Sequence, residues 1–152
     1  MNKEPGVIRN ITAEDLNIVA EMEIRISKIS FQEEAIVDKD FHIRKLRKSM
    51  DKDSSGMLVY ERQGQVLGWL WMEIKSNFMT DEKYVNFKSF CVDDEIKGER
   101  EVEDLLAYGV AYAKKRKAKY IVGKVHVSNL AMRALYKNCG FAPTHLTMEM
   151  KL

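Results

Sequence analysis

Val125-His126-Val127-Ser128-Asn129-Leu130-Ala131-Met132-Arg133-Ala134-Leu135-Tyr136-Lys137-Asn138-Cys139-Gly140-Phe141 decides how the rest of the chain is read. The stretch opens with β-branched Val125 and Val127, a strand signal, and turns at Ser128-Asn129. Asn129 suits a helix N-cap, because its side-chain oxygen can accept a backbone N–H of the first turn. Met132, Leu135, Tyr136 and Cys139 then fall on one helical face at spacings of three and four. Gly140 supplies the left-handed C-cap, and Phe141 can pack back on the last turn. The reading is a strand, a capped helix and a glycine stop, with one tyrosine near the helix end.

Composition bounds the rest. The chain has 152 residues, 45% of them hydrophobic and 32% charged. That suits one domain over residues 1–152, with roughly 68–70% of its unfolded surface available for burial. The net charge is +2, from 25 basic and 23 acidic residues. Such a balance argues against nucleic acid as the main ligand. No apolar run approaches the ~18 residues of a membrane-spanning helix, so no membrane is expected as a partner. Met1-Asn2-Lys3-Glu4-Pro5 lacks the apolar stretch of a secretion signal, and a cytoplasmic location is expected. Cys91 and Cys139 lie in apolar segments and read as buried free thiols. Two cysteines and three scattered histidines do not make a zinc cluster, so no metal is expected.

Upstream of the opening stretch, residues 7–11 read as a first strand. Thr12 caps a helix with Glu14 and Asp15 in its first turn, where the helix dipole favours acids. That helix runs to about Ile29. A second, basic helix carries Phe41, Ile43, Leu46 and Met50. Residues 57–61 and 66–74 are strands joined by a hairpin in which Gly64 supplies positive φ. In the second of them Val66, Gly68, Leu70, Met72 and Ile74 share one face, and Leu67, Trp69, Trp71 and Glu73 the other. Residues 84–92 form a strand whose pattern breaks. Val85 pairs with Phe87 and Phe90 with Val92, but 87 to 90 is a step of three, and a β-bulge restores both pairs to the core. Val102, Leu105, Leu106, Val110 and Ala113 make a helical stripe ending in a solvated basic run, 114–117. Residues 120–127 read as a central strand covered on both faces, and residues 144–152 alternate as a final strand. The resulting order, β–α–α–β–β–β–α–β–α–β, predicts an α/β fold with a mixed, mostly antiparallel sheet and helices on both faces.

This order, with Asn129-x-x-Met132-x-x-Leu135-Tyr136-x-x-x-Gly140-Phe141, resembles the GCN5-related N-acetyltransferase (GNAT) superfamily over essentially the whole chain. The motif looks like that family's N-x-x-A-x-x-L-Y-x-x-x-G-F. The resemblance implies a splayed parallel strand pair, 84–92 and 120–127, with acetyl-CoA in the gap. Backbone groups near Cys91 and Val92 would bind the thioester carbonyl and pantetheine arm and stabilise an oxyanion. Tyr136 maps to the tyrosine that protonates the departing thiolate, and Asn129 to a contact with the CoA arm. Glu73 borders the family's acceptor pocket and is the candidate base, with a solvated strand-end glutamate as the competing reading. Trp69 and Trp71 line that pocket or cover a helix. The implied acceptor is a small-molecule or peptide amine, and family members often form homodimers through their last strands.

One segment departs from the family pattern. The pyrophosphate loop reads Q/R-x-x-G-x-G/A in the family. Here Lys97-Gly98-Glu99-Arg100-Glu101-Val102 places side chains at both small positions, where glycine permits close backbone approach. Asp93, Asp94, Glu95, Glu99 and Glu101 also surround a site meant for an anion. Like charges ~4 Å apart oppose each other by about 4 kcal/mol at an effective dielectric of 20. Cofactor contacts are thus expected from Lys97, Gly98, Glu99 and Arg100, with weakened pyrophosphate binding. The function expected is acetyl transfer from acetyl-CoA to an amine by direct attack. The alternative is a non-catalytic ligand- or partner-binding domain of the same fold.

Overall fold

The computed structural model describes residues 4–152. Met1 to Lys3, the start of the segment read for a secretion signal, lie outside the described residues. The elements are β1 (Val7–Asn10), α1 (Leu16–Phe31), α2 (Lys39–Lys52), β2 (Met57–Arg62), β3 (Gln65–Ser76), β4 (Lys83–Val92), α3 (Arg100–Lys115), β5 (Ile121–Gly123) and α4 (Leu130–Asn138). The five strands form one sheet in sequence order. Its first three pairings are antiparallel, and β4 with β5 is parallel.

Helices cover both faces. On one, Trp69, Trp71 and Cys91 pack under Val19, Ala20 and Met22 of α1 and Leu46 of α2. On the other, Leu70, Phe87 and Phe90 pack under Leu105, Leu106 and Ala113 of α3, with Tyr136 of α4 at the margin. Each fully buried Leu or Phe contributes about 1.5–3 kcal/mol by leaving water, so the two layers hold the sheet from both sides. α1 is tied to β1 at its start. Arg9 donates to both carboxylate oxygens of Asp15 at 2.7 and 3.0 Å, and the Thr12 N–H donates to the same carboxylate at 2.7 Å.

Two bulges set the register. Trp71 pairs with Ser89 and Met72 with Phe87, which leaves Lys88 as the extra residue. Val85, Phe87, Phe90 and Val92 consequently share one core, as the step of three predicts. The second bulge lies between β2 and β3. Tyr60 pairs with Gly68 and Glu61 with Val66, so Leu67 is unpaired. It turns into the α3 layer while Val66 joins the tryptophan face, which reverses the alternation expected for these two residues. Gln63 and Gly64 both take positive φ in the hairpin turn, the backbone that matches strand twist in two-residue loops.

Three other expectations are corrected. β5 is a three-residue edge strand rather than a central strand over 120–127, and Val122 is exposed. After Gly123 the chain leaves the sheet towards α4, and an apolar run alone does not report where hydrogen-bond partners stop. Residues 144–152 form no strand, and Leu146, Met148, Met150 and Leu152 are all exposed. Alternation prepares such a segment for a sheet edge, and among the described residues no strand pairs with it. Both cysteines are free, but only Cys91 is buried, whereas Cys139 is exposed at the end of α4.

Candidate active site

β4 and β5 run together only from Val85/Ile121 to Phe87/Gly123. Among the described residues, β4 continues through Lys88 to Val92 without a strand paired on that side, and β5 ends at Gly123. The Lys88 bulge sits where the strands part, because an extra residue bends its strand and raises local twist. The result is an opening flanked by backbone groups of β4. Cys91 and Val92 lie on its wall. Arg25 of α1 reaches across to donate to the Val92 carbonyl at 3.3 Å, and its guanidinium also lies 4.0 Å from the Cys91 sulfur. Burial pushes the Cys91 thiol up to about 11, so it stays protonated at neutral pH and is a poor nucleophile.

α4 holds Tyr136 on the other side of the opening. Asn129 accepts the Met132 N–H at 3.2 Å, which caps the helix. At the far end Phe141 N–H donates to Tyr136 O at 2.9 Å and Gly140 N–H to Lys137 O at 3.1 Å. With Gly140 at φ 93°, this is a Schellman stop. The Phe141 ring closes on Tyr136 at 4.7 Å between centroids, so the same stop that ends the helix fixes the phenol. The ring rests on Gly123, where the strands part. Burial lifts the hydroxyl to about 12, which keeps it a proton donor throughout the neutral range.

The segment from Asp93 to α3 differs from a row of free acids. Asp93 faces Arg25 at 3.9 Å, Asp94 pairs with Lys97 at 2.6 Å, and Glu95 and Glu99 converge on Arg62 at 3.7 and 3.1 Å. Arg62 is only 6% exposed and enters from the end of β2. The expected like-charge repulsion is therefore largely offset within the loop. The two departures from small residues also separate. Val102 is buried in the α3 core, whereas the Arg100 side chain stands in solvent, 3.9 Å from Asp104. In the first turn of α3 the Val102 N–H donates to the Glu99 carbonyl at 3.2 Å, the first helical N–H groups before it have no intrahelical acceptor, and Arg100 adds a charge beside them. Lys97 is taken up by Asp94, and Gly98 turns the loop with φ 77°.

Glu73 is level with Asn86, before the strands part. Its carboxylate is occupied by Lys88 at 2.9 Å and Lys75 at 3.8 Å, beside a surface groove of about 490 Å³. A different acid is buried against the stretch of β4 beyond the bulge. Glu23 of α1 is 8% exposed and accepts from Ser89 Oγ at 3.0 Å and from Trp69 Nε1 at 3.3 Å. Sequence reasoning missed it, although Glu23 stands four residues after Val19 and three before Ile26. An acid on an apolar helical stripe was the available signal. Arg62 and Arg25 carried no comparable mark, since their partners are distant in sequence.

Residues 21–141 match the acetyltransferase (GNAT) family. The chain belongs to that family. No curated protein sequence matches it. Among solved structures it is similar to a transcriptional regulator from Bacillus halodurans C-125, with a TM-score of 0.79 and 16% identity over 97% of this chain and 99% of that one. It is also similar to a ribosomal-protein-alanine N-acetyltransferase from Brucella melitensis biovar Abortus 2308, with a TM-score of 0.76 and 12% identity over 98% and 100% of the two chains. A glucosamine-6-phosphate N-acetyltransferase from Arabidopsis thaliana gives a TM-score of 0.73 and 15% identity over 97% and 99%. At these identities the likeness is one of fold. Among the described residues, no helix is long and apolar enough to cross a membrane.

Proposed function

We propose that the protein is an N-acetyltransferase that moves the acetyl group of acetyl-CoA to an amine by direct attack. The observation that carries this reading is the Tyr136 phenol packed on Gly123, at the point where β4 and β5 separate. A protonated phenol there is suited to deliver a proton to a leaving thiolate, while N–H groups of the opened β4 edge stabilise the oxyanion. Cosubstrate binding is assigned to the backbone at Cys91 and Val92, to the α3 N-terminus with residues 97–100, and to Asn129. Direct attack is favoured over an acyl-enzyme because Cys91, the thiol beside the opening, is held protonated.

The proposed acceptor is a small-molecule or peptide amine, met by one GNAT domain in the cytoplasm. We further assign residues 144–152 to a homodimer contact. Leu146, Met148, Met150 and Leu152 are exposed apolar residues at a spacing of two, as an edge strand formed against a second copy would need. Thiol release from acetyl-CoA, followed across polyamines, amino sugars and peptides with free N-termini, tests the activity. Acceptor-dependent release is the result expected, and release from none of them counts against the enzyme.

A further inference from the structure

We propose that Glu23, acting through the Ser89 hydroxyl, takes the proton that the attacking amine must lose. The inference rests on the acetyl-transfer reading and adds the group on which that reading is silent. Ser89 is two residues beyond Phe87, the last β4 residue paired with β5, and one beyond the Lys88 bulge. It lies on the same face as Cys91, under α1 and α2. Its hydroxyl is 3.0 Å from each carboxylate oxygen of Glu23. A hydroxyl that donates to a carboxylate keeps lone pairs free to accept from an amine N–H.

A structural role alone does not account for a carboxylate here. A glutamine could accept from Ser89 and Trp69, more weakly but without the cost of burying a charge. Among the described residues no lysine or arginine forms an ion pair with Glu23. His42 and Lys45 of α2 act on it only at longer range, and Arg25 of α1 is turned to Val92 and Asp93. Burial lifts the Glu23 carboxyl above the ordinary carboxylate range, and the bonds from Ser89 and Trp69 pull it part of the way back. That direction makes it a stronger base.

Tyr136 belongs to the α3/α4 face and Glu23 to the α1/α2 face. The two groups thus flank the opening, and the amine arrives on the α1/α2 side while the thiolate leaves on the other. The neutral amine forms the C–N bond, and its proton passes to Ser89 Oγ as the serine's own proton passes to Glu23. The C–S bond then breaks, and the thiolate takes the Tyr136 proton. Solvent returns the Glu23 proton to the tyrosinate, so the net products are the amide and the CoA thiol.

The test compares wild type with Glu23→Gln and Ser89→Ala, using the two amines of different pKa that wild type turns over fastest in the panel. Melting temperature and acetyl-CoA affinity serve as controls for folding and for cosubstrate binding. The relay predicts a loss in kcat of roughly 10²-fold or more in both variants, with acetyl-CoA affinity unchanged. It also predicts that the acidic limb of the wild-type kcat profile is independent of the acceptor's own pKa and disappears in Glu23→Gln. Wild-type turnover with an unchanged limb and rate in Glu23→Gln overturns the relay and leaves the acetyltransferase intact. Absence of wild-type turnover overturns both.

Discussion

Gly123 and Tyr136 are in van der Waals register. A β-carbon on Gly123 would stand 2.7 Å from Tyr136 Cζ and 2.8 Å from its hydroxyl. The bare backbone of β5 therefore lets the phenol settle at the mouth of the opening. Gly123→Ala should displace the ring and cost about 1–3 kcal/mol through overpacking. Urea denaturation measures the cost, and kcat should fall with it even where the variant remains fully folded.

Tyr136→Phe keeps the ring packed on Phe141 and removes only the proton. Turnover should drop by roughly 10²–10⁴-fold, with acetyl-CoA affinity within about twofold of wild type. Unchanged kcat would remove the role given to the hydroxyl.

Arg62 pairs with Glu95 and with Glu99, the N-cap residue of α3, at 3.7 and 3.1 Å. Arg62→Met should release Glu95 to repel an incoming pyrophosphate and weaken acetyl-CoA binding about tenfold. Arg100→Ala should weaken binding too, and should flatten its salt dependence because an exposed charge acts through a screened field. Titrations at two ionic strengths distinguish the two effects.

The Asp15 carboxyl is pushed up by burial but brought below its ordinary range by the Arg9 and Thr12 hydrogen bonds, which prevail. A depressed folded pKa stabilises the fold above the unfolded value of about 3.9, and the contribution is lost as pH falls through the folded pKa. Asp15→Asn should cost about 1–3 kcal/mol at pH 7. The gap to wild type should shrink below about pH 4 in chemical denaturation.

Much of this was legible in the sequence because the sheet is built from well-punctuated strands. The Gly64 hairpin and the step from Phe87 to Phe90 gave β2, β3, β4 and one bulge. The Leu67 bulge was hidden because both of its neighbours are apolar and either face accepts them. The extent of β5 was hidden for a related reason. Val125 and Val127 carry strand propensity, but pairing depends on a neighbour that the pattern does not name. The local motif gave Asn129 as the cap, Tyr136 as a residue within and Gly140 as the stop of α4. The Arg62 clamp and the Glu23–Ser89 pair join residues 33 or more positions apart, and spacing cannot show such contacts.

Residues 144–152 give a separate test. The dimer assigned to them should appear in sedimentation equilibrium, and Met148→Glu should shift the protein to monomer. A wild-type monomer at tens of micromolar would exclude that contact.

Titration calorimetry with acetyl-CoA bears most directly on the central claim. The arrangement of the opened β4 edge, the α3 N-terminus with Asp93, Asp94, Glu95 and Glu99 paired, and Tyr136 predicts saturable one-site binding at micromolar concentration, competed by CoA. No heat of binding at millimolar acetyl-CoA would contradict it, and would leave a family member whose opening serves another ligand or a partner.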